Sequence, residues 1–376
     1  MSGPIRILHI VTHMDCGGLE TMIMNYYRNM DRNKIQFDFL THRPVSEKKY
    51  YDDEIKSLGG KIYHVSRLNP FSYAYRNELE KFFNSHKEYR IVHVHQDCMS
   101  GLILKIAKAS NVPVRIAHAH SSNQDRNVKY LIKNLYKRII NKYATDLFAC
   151  GKTAGEWMFG KHARFTVLPN AIDTNKYSFS NDKRHMMREK FGFSEEAFII
   201  GHVGRFSKVK NHRFVIELCE RLLSHNQNTF VFFIGQGETM EEMKEIVNQK
   251  RLQNSILFLG LRNDVPDLMQ AMDVFILPSL YEGLPVSVIE AQAAGLPCVI
   301  SENVPLDCVI TDLVQQVSLD ISRWEDALLQ LKTGNRKNTQ EEIKNARFDI
   351  KENAAYLEKY YLSALEKFDE RNHICN

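Results

Sequence analysis

Two pairs of charged side chains in the second half of the chain have the residue types and spacing to do chemistry. Glu282 and Glu290 flank a turn and a helix start in Tyr281-Glu282-Gly283-Leu284-Pro285-Val286-Ser287-Val288-Ile289-Glu290. Arg205 and Lys210 lie upstream in Gly204-Arg205-Phe206-Ser207-Lys208-Val209-Lys210-Asn211. A guanidinium and an ammonium can hold a diphosphate and stabilise the negative charge that grows on it as a bond to it breaks. Carboxylates accept from hydroxyls, so Glu290 suits a ribose and Glu282 a sugar. Gly283 supplies the turn, and the backbone N–H groups of Leu284, Val286 and Ser287 could face phosphate at a helix start. Hydroxyls at both ends and a diphosphate in the middle describe a nucleotide sugar. The plainer alternative is a pair of solvated cations and two carboxylates that cap and solvate a helix.

Other candidates are individually weaker. Gly17-Gly18 follows the first strand and opens a helix, where glycine amides can approach a phosphate or merely make a turn. It is not GxGxxG, so the dehydrogenase fingerprint is absent. His118 and His120 close a strand, Val114 to Ala117, and either could hydrogen-bond a transferred sugar. His93 and His95 read as core or satisfied polar residues. Leu261 and Arg262 follow a strand end and could offer main-chain groups to a base, or form a plain loop. No D-x-D triplet occurs, so no metal is expected and Arg205 and Lys210 would neutralise the diphosphate. A basic amphipathic helix over 126–143 carries Arg126, Lys129, Lys133, Lys137, Arg138 and Lys142 among apolar residues. It suits either anionic lipid or an ordinary solvated face.

These residues need elements to position them, and the chain supplies an alternation. Short apolar β-rich runs, from Ile5–Val11 through Pro297–Ile300, alternate with helical patterns, which implies parallel sheets covered on both faces. The set occurs twice, giving an α/β fold of two Rossmann-like domains. The expected division is 1–175, joined by a terminal helix of about 350–376, and 176–349, with Pro169-Asn170-Ala171-Ile172-Asp173 at the boundary. The terminal helical pattern itself can be followed from Asn345. At 376 residues there is room for two cores. A net charge of +5 is too mild to mark a nucleic-acid binder. Seven scattered cysteines without a CxxC point to reduced thiols. No apolar run reaches the ~18 residues that span a bilayer. The expectation is therefore a cytoplasmic protein, at most peripheral on the inner face of the cell membrane.

Taken together, Gly17-Gly18-Leu19-Glu20, Leu168 to Asp173, Gly204-Arg205 with Lys210-Asn211, Gly235-Gln236-Gly237, Asp264-Val265, Asp273 with Pro278-Ser279, and the Glu282/Glu290 pair resemble the retaining GT-B glycosyltransferases of family four. The resemblance covers almost the whole chain. It implies two Rossmann-like domains facing across a cleft, with the donor held mainly by the second and a last helix returning to the first. It also implies metal-independent transfer with retained configuration, without cofactor, by front-face attack in which the leaving phosphate helps deprotonate the acceptor. By position, Arg205 and Lys210 take the diphosphate, Glu290 the ribose and Glu282 the donor sugar. The first-domain histidine matches His120 best, although His118 stands where many relatives have threonine. Phe148 to Gly155 and Asp349-Ile350 resemble the exopolysaccharide or capsule branch, which implies a UDP-sugar donor and a lipid-linked or saccharide acceptor. The alternatives are a UDP-sugar 2-epimerase of the same architecture and a non-catalytic nucleotide-sugar-binding subunit.

Overall fold

The computed structural model describes residues 3–15, 17–43, 49–121, 130–331 and 336–374, the last four by backbone alone. The chain divides into two compact units, Met1–Ala171 with Ile350–Asn376, and Ile172–Asp349. The first contains β1 (Ile5–Val11), β2 (Ile35–Thr41), β3 (Ile62–His64), β4 (Ile91–Val94), β5 (Val114–Ala119), β6 (Asp146–Ala149) and β7 (Thr166–Val167). They form one parallel sheet in the order β3-β2-β1-β4-β5-β6-β7. The second contains β8 (Phe198–Val203), β9 (Thr229–Ile234), β10 (Ile256–Gly260), β11 (Val274–Leu277), β12 (Cys298–Ser301) and β13 (Val314–Val317), in the parallel order β10-β9-β8-β11-β12-β13. These are the two Rossmann-like units that the alternation implies.

Both sheets reverse their winding once, between β1 and β4 in the first and between β8 and β11 in the second. At such a switch point the loops leaving the two strands diverge to opposite faces and open a crevice at the carboxyl edge, where ligands bind. Arg205 and Lys210 follow β8, and Glu282 follows β11, so the second sheet presents three of its four candidates at that place.

Strands buried on both faces explain the apolar runs. In the second unit, Ile199, Phe232, Phe275 and Ile300 pack on one face, and Ile200, Val231, Phe233 and Val299 on the other. The first core gathers Tyr26, Phe37 and Phe148, together with Leu357, Tyr361 and Leu365 from the terminal helix Ile350–Ile374. That helix starts at Ile350, not Asn345, because Arg347 takes a left-handed φ of 64° and ends the preceding helix Gln340–Asn345. The unit boundary falls at Ala171, four residues before the expected one (175 − 171). Ile172 pairs with Asp349, and the Thr174 hydroxyl donates to the Asp349 carboxylate at 2.7 Å.

The amino ends of β8 and β11 are fixed by one buried carboxylate. Asp273 accepts from the Arg184 guanidinium at 2.7 Å, from Arg188 at 2.7 Å and from the Ile199 N–H at 2.8 Å. A cavity of about 440 Å³ opens here, lined by Arg184, Glu195, Phe198 and Asp273. It lies at the amino edge of the sheet, away from the candidate site. Removing one partner of a buried ion pair leaves the other uncompensated, so Asp273→Ala should cost about 3–5 kcal/mol in denaturant unfolding. A loss below about 1 kcal/mol would mean the arginines are satisfied without it.

Candidate functional site

In the second unit the loops after β8, β9 and β11 are built against one another. The Leu280 N–H donates to the Val209 carbonyl at 2.8 Å, and the Asn211 side-chain amide donates to the Pro278 carbonyl at 3.2 Å. Asn211 sits at φ 56°, a left-handed conformation that asparagine tolerates, and this turns the chain into the helix His212–His225. Gly235 and Gly237 allow the β9 loop to lie on the β8 loop. A Cβ on either would meet the Gly204 or Phe206 carbonyl oxygen at 2.1 Å. These contacts leave no room for a side chain at either, and Gly235 also has a φ of 139°.

On this platform Lys210 Nζ and Glu282 Oε1 are 2.6 Å apart, with side chains 18% and 12% exposed. The two residues assigned to different parts of a ligand thus hold each other. Arg205 turns outward and pairs with Glu238 at 3.2 Å; its side chain is 75% exposed. Glu290 lies deeper, in the helix Val286–Ala293, where the Tyr177 hydroxyl donates to its Oε1 at 2.6 Å. Burial pushes the Glu290 carboxyl up and the Tyr177 hydrogen bond pulls it down. That helix begins at Val286 with Pro285 at its cap and carries no side-chain cap, so Val286 and Ser287 stand in its first turn. Gly283 and Leu284 are half-buried just before it. Leu261 is exposed after β10, and Arg262 folds back on Asp264 at 2.7 Å. The four charged residues therefore occupy two joined loops and a neighbouring helix, with Lys210 and Glu282 in direct contact.

At the Gly17-Gly18 turn the space over Gly17 is taken by Glu20, whose Oε2 would lie 2.3 Å from a Cβ there. A carboxylate sits against this helix start, and Gly17 is needed for that close approach.

The first unit carries a feature the sequence did not disclose. β5 extends to Ala119, so His118 is an interior strand residue, 1% exposed, and His120 is the first residue beyond it. His9 Nδ1 lies 3.0 Å from His95 Nε2, and His95 Nδ1 lies 2.8 Å from His120 Nε2. His93 Nε2 meets His118 Nδ1 at 3.1 Å, and its Nδ1 meets the Tyr361 hydroxyl at 2.7 Å. Two trios of these nitrogens lie within 4.8 Å of one another. The rings stack, however, His93 on His95 at 4.4 Å with planes 22° apart, and direct their nitrogens edgewise into hydrogen bonds with neighbours. His93 and His95 are thus satisfied polar residues of the core, as read from sequence. Their linkage across three strands was not visible, because register decides it.

The helix Tyr130–Tyr143 is the described part of the basic amphipathic segment; Arg126 and Lys129 lie outside the described residues. Its inner side packs closely on Gly101, where a Cβ would meet the Tyr136 carbonyl at 2.1 Å. Its outer side exposes Leu131 at 78% and Leu135 at 60%. Lys137 sits over the Trp157 ring at 3.9 Å. Among the described residues, no helix is long and apolar enough to cross a membrane.

Burial holds His9 and His120 at about 3, and pushes His93, His95 and His118 well below the usual imidazole value. Folded, these rings are neutral; unfolded, they take up protons near pH 6.5. Their contribution to stability is complete above that pH and is lost as pH falls through the window between about 6.5 and 3, at about 1.4 kcal/mol per pH unit per ring. Denaturant unfolding should therefore weaken between about pH 7.5 and about pH 5.5, and His9→Phe should remove one ring's share of the slope. An unchanged slope in that variant would contradict the buried neutral state.

Comparison with known proteins adds the family. The family model described as Glycosyl transferases group 1 matches residues 183–348, and that described as Glycosyltransferase Family 4 matches residues 16–176. The putative glycosyltransferase EpsF of Bacillus subtilis is 35% identical, over 97% of this chain and 98% of that protein. The capsular polysaccharide biosynthesis glycosyltransferase CapH of Staphylococcus aureus is 26% identical over 96% and 99%. An Escherichia coli UDP-Gal:alpha-D-GlcNAc-diphosphoundecaprenol alpha-1,3-galactosyltransferase is 27% identical over 81% of each chain. Among solved structures, Anabaena HepE in complex with UDP and glucose superposes with a TM-score of 0.70 at 16% identity, covering 98% of this chain and 99% of that one. A glycosyltransferase from Rickettsia africae gives 0.76 at the same identity, covering 96% and 99%.

Proposed function

Because the chain belongs to the GT-B glycosyltransferases of family four, in their exopolysaccharide and capsule branch, we propose that it moves a hexosyl or N-acetylhexosaminyl group from a UDP-sugar to a lipid-linked or saccharide acceptor, with retention of anomeric configuration. The observation that carries this reading is the Lys210–Glu282 pair at the switch point, held on two loops that are hydrogen-bonded to each other. Bound donor would separate the pair. Lys210 and Arg205 then face the diphosphate, and Glu282 accepts from a hydroxyl of the sugar. Glu290, with Tyr177 on one oxygen, has its other oxygen for a ribose hydroxyl. As the glycosidic bond breaks, the electron pair goes to the diphosphate and the two cations stabilise it. The departing phosphate oxygen takes the acceptor proton, so the reaction balances without a metal or cofactor. UDP as carrier is supported by the HepE complex and by the galactosyltransferase relative, and the lipid-linked acceptor by that same relative.

Incubation with UDP- and GDP-sugars and candidate acceptors should release UDP and give an α-linked product from an α-linked donor, undiminished by EDTA. Lys210→Ala should lower kcat about 10²–10³-fold, as loss of one preorganised charge-stabilising donor does. Full turnover in that variant would refute the assignment, an inverted product would refute retention, and C2 inversion of the donor would indicate an epimerase.

A lipid-linked acceptor calls for work at a membrane surface, and the helix Tyr130–Tyr143 is suited to it. Exposed Leu131 and Leu135 share one helix face with exposed Arg138 and Lys142, the arrangement of a helix lying on anionic headgroups. On this reading the enzyme works peripherally on the cytoplasmic face. Vesicles of phosphatidylglycerol should co-sediment the protein and those of phosphatidylcholine should not, with binding lost in Leu131→Glu/Leu135→Glu. Equal sedimentation with both lipids would remove this helix from the account.

A further inference from the structure

Tyr177 stands where no motif marks it. It closes the short helix Thr174–Tyr177, just inside the second unit, which begins at Ile172. Three side chains fix that helix from different directions. The Thr174 hydroxyl donates to the Asp349 carboxylate at 2.7 Å, and the Gln340 amide donates to the Thr174 carbonyl at 3.4 Å. The Gln270 amide donates to the Tyr177 carbonyl at 3.3 Å, while its oxygen accepts the Ser180 N–H at 3.0 Å. Gln270 is wholly buried, so this bracket is rigid. The Tyr177 backbone is therefore set by the fold, and its ring is buried too.

A buried phenol needs a partner for its hydroxyl, and here the partner is Glu290 Oε1 at 2.6 Å. Burial, and then the charge of Glu290, hold the Tyr177 phenol well above its usual value, so it keeps its proton and is the donor. Among the described residues, Tyr177 is the one protein group that donates to Glu290. The two carboxylate oxygens are thereby made unlike. A hydrogen bond to a charged acceptor is short and strong, and this one draws on Oε1. Oε2 is left as the better acceptor. A ribose offers two neighbouring hydroxyls, 2′ and 3′, and an unencumbered carboxylate could take one on each oxygen. With Oε1 engaged, the two hydroxyls no longer meet equal acceptors.

We propose that Tyr177 is a positioning residue that sets how the nucleotide is read: its hydroxyl holds Glu290 Oε1, Oε2 alone grips the ribose, and the site tells the 2′ from the 3′ hydroxyl. The proposal rests on the assignment of Glu290 to the ribose and adds the residue that makes its grip one-sided. It also gives the phenol an electrostatic duty. Burial pushes the Glu290 carboxyl up, and the Tyr177 bond pulls it back down. The elements packed on the helix Val286–Ala293 bring other titratable groups, namely Asp173 beside Tyr177, Glu341, Glu342 and Lys344 on the helix Gln340–Asn345, Asp307 and Cys308 after β12, and Cys298 within it. Among the described residues, Tyr177 is the one of these that acts on the Glu290 carboxyl. Glu290 accepts when ionised, so its grip holds above its carboxyl value and is lost as pH falls through it. Without the phenol that value rises, and the loss begins at a higher pH.

The test is calorimetric titration of the full chain with UDP, 2′-deoxy-UDP and 3′-deoxy-UDP, for the wild type and Tyr177→Phe. In the wild type one analogue should bind like UDP and the other about tenfold or more weakly, the range for a lost hydrogen bond to a charged group. In Tyr177→Phe both oxygens are open, so both analogues should bind more weakly than UDP, and UDP affinity should begin to fall at a higher pH than in the wild type. Equal losses for the two analogues in the wild type would overturn the proposal, and that comparison needs no variant. An asymmetry and a pH profile unchanged in Tyr177→Phe, with only a lower melting temperature, would overturn it as well, because a purely structural phenol behaves that way. Glu290→Gln separates this failure from a deeper one. If that variant binds UDP as the wild type does, the ribose assignment falls and the proposal falls with it; if it binds weakly while the analogues stay symmetric, only the role of Tyr177 is refuted.

Discussion

The second unit depends on two hydrogen bonds between loops that leave opposite sides of a switch point. Leu280 donates to Val209 and Asn211 donates to Pro278. Without them, the loop bearing Arg205 and Lys210 and the loop bearing Glu282 would be independent surface segments, and the order of side chains along either would mean little. With them, Lys210 and Glu282 become a fixed pair. Pinning at the other edge completes the constraint, because Asp273 ties the amino ends of β8 and β11 through Arg184, Arg188 and Ile199. Both strands that flank the crevice are held at each end, which limits the entropy lost when a ligand binds between their loops.

Much of this could be read from the sequence, and the reason is local. Apolar runs such as Val274-Phe275-Ile276-Leu277 are buried on both faces of a parallel sheet, so they stand out without a partner. β13, Val314-Gln315-Gln316-Val317, does not stand out, because edge strands can carry exposed glutamines. The helical pattern that can be followed from Asn345 is broken before Ile350 by the left-handed turn at Arg347, which leaves no trace in a residue that is otherwise a helix former. The switch-point residues were legible because glycine turns and charge types mark loops.

What was not legible is set by register and by long-range contact. Glu290 meets Tyr177 from far along the chain, and no local pattern announces that pairing. The histidine chain depends on β1, β4 and β5 aligning so that alternate residues share one face, His9 opposite His93. A one-residue slip would scatter it. The two units thus differ in kind. The second carries a charged pair at its switch point, and the first carries buried neutral histidine rings.

A crystal structure of the protein with UDP tests the central claim most directly. The account predicts that Lys210 and Glu282 part, with Lys210 and Arg205 on the diphosphate oxygens and the uridine ribose on Glu290. Nucleotide bound elsewhere, with the Lys210–Glu282 pair still closed, would contradict it.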